Sequence, residues 1–179
     1  MTASVVFVGL GSNLGDSAAI LHDAIAALGR LPATRVLACS RLYRTPAWGV
    51  TAQPDFLNAV AMLSTALQPQ ALLAALLAIE RDAGRIRLVD GSDRWGPRTL
   101  DLDLLLYGDR CVDEPGLRVP HPHLHERAFA LLPLLEIAPY AVIPGIGPAR
   151  DVAAKLVIDD IEALPYTPPP HPHAADREP

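Results

Sequence analysis

Cysteine is nearly missing: the chain has two in 179 residues, Cys39 and Cys111. They supply neither a metal-ligand spacing nor a disulfide framework, so a reducing compartment, the cytoplasm, is expected. Aromatic residues are few, at 5%, and the formal net charge is −5. A nucleic-acid-binding surface would show exposed strand aromatics or a basic field, and this composition provides neither. Met1-Thr2-Ala3-Ser4-Val5 has no charged n-region and no long apolar run, so no secretory signal is expected. The leucine-rich stretch from Leu72 to Ile79 meets Glu80 before it could cross a bilayer. No Gly-Lys-Ser/Thr accompanies Gly11-Ser12-Asn13-Leu14-Gly15, which therefore reads as a tight strand-to-helix turn rather than a phosphate loop. What is present is 50% hydrophobic, enough for one domain with a sizeable core.

The periodicities place elements along the chain. Val5 to Leu10 is an apolar run and reads as a buried strand; Ile20, Leu21, Ala24, Ile25 and Leu28 then follow helical spacing up to Gly29. Arg35 to Tyr43 and Phe56 to Leu63 read as strands, separated by a proline-rich loop that carries Trp48. Pro69 opens a helix running to about Ala83, with Leu72, Leu73, Leu76, Leu77 and Ile79 on its buried face. Leu100, Leu102, Leu104 and Leu106 share one parity of a further strand. Gly108-Asp109 signals a hairpin with a return strand at Arg110-Cys111-Val112. Helices are expected over Glu126–Glu136 and Ala149–Leu156. The order predicts an α+β fold: a ferredoxin-like βαββαβ sandwich with an antiparallel sheet and extra C-terminal helices, one sheet face being left open for a ligand groove. Residues 1–164 would form a single catalytic domain and 165–179 a proline-rich, disordered tail.

The chemistry concentrates in Arg94-Trp95-Gly96-Pro97-Arg98-Thr99-Leu100-Asp101-Leu102-Asp103. Asp101 and Asp103 fall on one face of the strand, their Cα atoms about 7 Å apart. Carboxylates that close raise each other's pKa unless a cation lies between them. Arg81, Arg85, Arg87, Arg94 and Arg98 crowd the same region of an acidic protein. Magnesium binds through one or two carboxylates plus phosphate oxygens, and arginine grips phosphate bidentately. The pattern points to a polyphosphate substrate. His121, His123 and His125 alternate, but two prolines and the lack of a matching Cys or acid argue against zinc.

With these residues in view, the chain resembles the 6-hydroxymethyl-7,8-dihydropterin pyrophosphokinases of folate biosynthesis. The matching segments are Gly11-Ser12-Asn13-Leu14-Gly15, Tyr43-Arg44-Thr45-Pro46, Gln53-Pro54-Asp55-Phe56-Leu57-Asn58-Ala59, Arg94 to Asp103, and Val119-Pro120-His121. The resemblance implies transfer of pyrophosphate from ATP to the pterin hydroxymethyl group, leaving AMP. It implies two magnesium ions held by Asp101 and Asp103, with Arg85 and Arg94 among the catalytic groups. Glu80, Arg85, Arg87, Arg94, Trp95, Arg98, His121 and Arg127 would line the nucleotide. Gly11, Thr45, Pro46, Trp48, Phe56, Asn58 and Phe129 would form the pterin slot. The family usually has Tyr where Phe56 stands and an aromatic where Pro122 stands, so a hydroxyl and an adenosine contact are missing here. ATP and the pterin would be the partners of a monomer that binds neither nucleic acid nor membrane. The rivals are a nucleotidyltransferase with the same Asp-x-Asp, which would release pyrophosphate, and a non-catalytic module, which the scarce aromatics and negative charge disfavour.

Overall fold

The computed structural model describes residues 2–47, 52–85 and 96–165. The stretch from 166 on, read as a tail, lies outside them. Strand β1 (Ser4–Ser12) runs into helix α1 (Ser17–Gly29), whose N-terminus is capped by the Asp16 carboxylate accepting the Ala19 N–H at 3.1 Å. β2 (Thr34–Cys39), β3 (Tyr43–Thr45) and β4 (Phe56–Thr65) follow. Next come α2 (Pro69–Asp82) and β5 (Asp101–Tyr107). The chain continues through β6 (Val112–Glu114), β7 (Leu117–Val119), α3 (Ala128–Ile137), β8 (Val142–Ile143), β9 (Gly147–Pro148), α4 (Ala149–Ala153) and β10 (Glu162–Ala163). The main sheet is antiparallel in the order β10-β3-β4-β1-β5, with β2 also paired to β4.

The expected strand from Arg35 to Tyr43 is two strands in succession along β4. Ser40 joins them: its N–H donates to the Val60 carbonyl at 2.9 Å, and its hydroxyl oxygen accepts the Val60 N–H at 2.9 Å. The return strand expected against β5 pairs elsewhere. β6 turns back on β7 through Pro115-Gly116, where Gly116 has φ 77°. Proline followed by a positive-φ glycine is a stronger turn signal than Gly108-Asp109.

The leucines of β5 do not all face one way. Phe7 pairs with Leu106 but Val8 with Leu104, so Leu105 is an extra residue in a bulge. Leu100, Leu102 and Leu104 pack with α1 and α2, among Leu21, Leu28, Leu72 and Leu76. Beyond the bulge Leu106 joins Leu105 in a second cluster with Val60, Leu124, Leu131 and Leu134. The bulge inverts the side-chain alternation there, contrary to the strict parity read from the sequence.

The open sheet face is likewise only partly open. α3 is apolar along nearly its whole length and packs on β3 and β4, while α4 packs on α3 and buries Ala149 and Ala153. The site lies at the end of the sheet where β1 finishes and β5 begins.

Candidate active site

The register assembles the site. Gly11 of β1 faces Asn58 of β4 on one side and Asp101 of β5 on the other; Gly9 likewise faces Val60 and Asp103. Tyr43 pairs with Asn58, and Thr45 with Phe56. Directly opposed residues point to the same face, so one row runs from Phe56 and Thr45 through Asn58 to the two carboxylates. The middle strand contributes only glycines, which leaves a backbone floor between them. A Cβ on Gly11 would stand 3.1 Å from Asn58 Oδ1. Asn58 is buried and its amide nitrogen donates to Thr45 Oγ1 at 2.8 Å, which fixes the direction of its oxygen.

Each carboxylate has its own set of cations. Asp101 is held by Arg85 through Oδ1 and accepts Arg98 Nη1 at 2.7 Å. Arg85 also donates to Glu80 Oε1 at 3.2 Å and to the Leu100 carbonyl at 3.0 Å. Burial alone would weaken its hold on its proton, but Asp101 and Glu80 outweigh that. Glu80 is 1% exposed and also accepts the Leu102 N–H at 2.7 Å. It thus ties Arg85 to the start of β5 from a buried position. Asp103 meets Arg127 Nη1 at 3.2 Å and His121 Nε2 at 3.8 Å. Burial first, then the Asp101 charge, pushes its carboxyl up to about 6 against the pull of Arg127. Burial, followed by Arg127 and His123, pushes His121 down to about 4, so its imidazole is neutral at ordinary pH.

The aromatic walls lie under arginines. The Arg98 guanidinium carbon is 5.8 Å from the Phe56 ring centre, and that of Arg127 is 5.7 Å from Phe129. Beside Asp103 a groove of about 940 Å³ runs between Leu73 and Leu77 of α2, the β6–β7 turn and His121. It is within the range of small-molecule sites. Pro46 is exposed just past β3. Trp48, Arg87, Arg94 and Trp95 lie outside the described residues. His123 and His125 both face Glu126, at 3.1 and 3.5 Å, away from the carboxylate pair.

Three features escaped the sequence reading. Asn13 is 4% exposed and binds three segments. Its side-chain oxygen accepts the Arg98 N–H at 2.9 Å, and its side-chain nitrogen donates to Gln53 Oε1 and the Pro54 carbonyl, both at 3.0 Å. Glu136 accepts the Tyr43 hydroxyl and the Arg41 N–H, tying α3 to β3. Leu73 and Leu77 wall the groove rather than only filling the core. A buried Asn inside a glycine turn was the one available signal.

A family model described as 7,8-dihydro-6-hydroxymethylpterin-pyrophosphokinase matches residues 7–139. The chain is 46% identical over 160 residues to a 2-amino-4-hydroxy-6-hydroxymethyldihydropteridine pyrophosphokinase of Pseudomonas aeruginosa, covering 89% of this chain and 96% of that one. It is 47% identical over 158 residues to the protein of the same name from Methylorubrum extorquens, covering 88% and 97%. Among solved structures, wild-type Plasmodium falciparum HPPK-DHPS superposes with a TM-score of 0.63 at 14% identity, over 86% of this chain and 41% of that one. The chain thus spans less than half the length of that protein, and at this identity the likeness is one of fold.

Proposed function

The chain belongs to the 7,8-dihydro-6-hydroxymethylpterin-pyrophosphokinase family, and from that premise we propose how its residues divide the work. The reaction transfers pyrophosphate from ATP to the hydroxymethyl group of 6-hydroxymethyl-7,8-dihydropterin, in folate biosynthesis. The pterin hydroxyl oxygen bonds to the β-phosphorus and its proton passes to water, while the bond from the α,β-bridging oxygen to that phosphorus breaks and AMP leaves with the electron pair on that oxygen.

In our reading Asp101 and Asp103 would hold magnesium, two ions. The fit is supported by two hard carboxylates on one face of β5, opposed to Gly11 and Gly9 in the strand register. Among the described residues no three His, Cys, Asp or Glu side chains converge, so the other ligands of such an ion would come from water and phosphate oxygens. Held there, it would supply charge neutralisation along the phosphate chain.

Arg98 and Arg127 bridge the two halves of the site. Each touches a carboxylate and lies over an aromatic wall, so each can pass from its carboxylate to a phosphate oxygen while the ring takes the pterin. Asn58 and Thr45 read the pterin's polar edge over the Gly11 backbone, with Pro46 at the rim and Trp48 assigned to the same slot by the family resemblance. Neutral His121 offers a hydrogen bond without a fixed charge. Arg85 and Glu80 hold Asp101 and the start of β5 in place; Arg87, Arg94 and Trp95 complete the nucleotide side. The adenosine occupies the groove walled by Leu73 and Leu77, where Pro122 supplies only a flat apolar surface.

We read the α+β architecture as a ferredoxin-like sandwich, a reading supported by the strand order β3-β4-β1-β5 and by the helices that follow β1 and β4. We take residues 1–164 as one catalytic domain, because both apolar clusters pack on the same sheet. We read it as a monomer acting in the cytoplasm, since one chain supplies every residue assigned and Cys39 and Cys111 are free thiols. The observation that carries the reading is the glycine floor joining the pterin edge to the acid pair. With ATP, the reduced pterin and magnesium, AMP is expected one-for-one with pterin consumed; pyrophosphate in place of AMP would overturn it.

A further inference from the structure

β1 lies between β4 and β5 and ends at Ser12. The segments leading into its two neighbours continue past that end: Gln53-Pro54 runs into Phe56, and Arg98 into Asp101. Two strands separated by a third lie roughly 9–10 Å apart, too far to hydrogen-bond directly. Asn13 fills the gap. Its N–H donates to the Arg98 carbonyl at 3.1 Å while its side-chain oxygen accepts the Arg98 N–H at 2.9 Å, a reciprocal pair like one rung of a ladder. On the other side its amide nitrogen donates to the Pro54 carbonyl and to Gln53 Oε1. A carboxamide carries the donor and acceptor of a peptide group, so this buried side chain prolongs the sheet by one rung where no strand remains.

We infer that Asn13 is a positioning residue that couples the two substrate sites, by fixing the pterin-side segment at Gln53-Pro54 to the phosphate-side segment at Arg98 across the end of β1. Arg98 is the link it controls. The Arg98 side chain meets both Asp101 and the Phe56 ring, so a backbone shift there moves the metal carboxylate's partner and the pterin wall together. Loss of the rung lets each half bind its ligand but removes the advantage that one bound ligand gives the other.

The inference rests on the two-substrate reading above, and its test separates the two. Oxidised 6-hydroxymethylpterin, which fluoresces, is titrated against the full chain with and without magnesium and α,β-methylene ATP. The ratio of the two dissociation constants is the coupling. In Asn13→Ala we expect that ratio to fall roughly fivefold or more, while the nucleotide's own affinity in the absence of pterin changes by less than about threefold. Asn13→Asp keeps the acceptor for Arg98 but faces Pro54 with a second acceptor, and Gln53→Ala removes one partner without touching Asn13. Both should lower the ratio, so the result does not depend on one variant folding. Equal ratios in variants and wild type, including a ratio of one in all, would overturn the coupling role. So would a parallel loss of both affinities. Failure of the wild type to form AMP would instead defeat the functional reading.

Discussion

A buried carboxylate beside a second carboxylate is costly to ionise, and the Asp103 carboxyl is pushed up to about 6, by burial first and then by the Asp101 charge. Replacing either acid by its isosteric amide removes the charge while leaving most of the packing. Asp101→Asn and Asp103→Asn should each lower kcat by roughly 10²–10³-fold, the scale of losing a group aimed at developing charge. Turnover within about threefold of wild type would remove the acids from the mechanism. Gly11 makes a subtler prediction. A methyl there meets Asn58 Oδ1 at 3.1 Å, and Asn58 cannot swing away without breaking its bond to Thr45. Overpacking of this kind costs about 1–3 kcal/mol. Gly11→Ala should therefore weaken pterin binding roughly ten- to hundredfold, with little change in nucleotide affinity, as separate titrations would show.

The elements hold these residues in place through a few joints. α3 carries Phe129 at one end and Glu136 near the other, seven positions on and so on nearly the same side. Burial would raise the Glu136 pKa, but the Tyr43 hydroxyl and the Arg41 N–H and guanidinium outweigh it and hold the carboxyl below its ordinary 4.5. Tyr43 is pushed up to about 12, by burial first and then by Glu136. A carboxylate with a depressed folded pKa stabilises the fold above its unfolded pKa, and that stabilisation is lost as pH falls through the folded value. Glu136→Gln should thus destabilise the protein at neutral pH by about 1–3 kcal/mol, as for a hydrogen bond to a charged group. The deficit should shrink in acid, measured by denaturant unfolding at several pH values. A deficit independent of pH would mean the charge contributes nothing. Because this joint also sets where Phe129 stands relative to Thr45, pterin KM should rise more than nucleotide KM.

At the scale of the whole molecule, the sheet is shared by two apolar clusters, one under α1 and α2 and the other under α3 and α4. The candidate site spans the seam between them, with the aromatic walls Phe56 and Phe129 contributed by β4 and α3 and the groove by α2 and the β6–β7 turn. A ligand that engages both sides should stabilise the folded state as a unit. Magnesium with α,β-methylene ATP at 100 times its dissociation constant should add about 2.7 kcal/mol, read as a rise in thermal midpoint. Nucleotide with EDTA should give little of that rise, and Asp103→Asn should remove the magnesium-dependent part. An equal rise with EDTA would argue against the acids as the metal's ligands.

The order of helices and strands, the Asp-x-Asp on one face of β5 and the cluster of arginines were legible in the sequence because they depend on local periodicity and on residues close along the chain. So was the resemblance, which rests on short contiguous motifs. The bulge at Leu105 was not, because strict alternation is the only signal a strand gives and a bulge interrupts it without a marker residue. Nor was the covering of the open face: α3 is visibly apolar, but where it docks depends on which patch of sheet the other helices leave. The roles of Asn13, Glu80 and Glu136 required partners 22 to 95 positions away. The sequence by itself determined which groups are available for the chemistry; the tertiary structure decided which of them are buried and what each is paired with, since burial and hydrogen-bond partners arise only when distant segments meet.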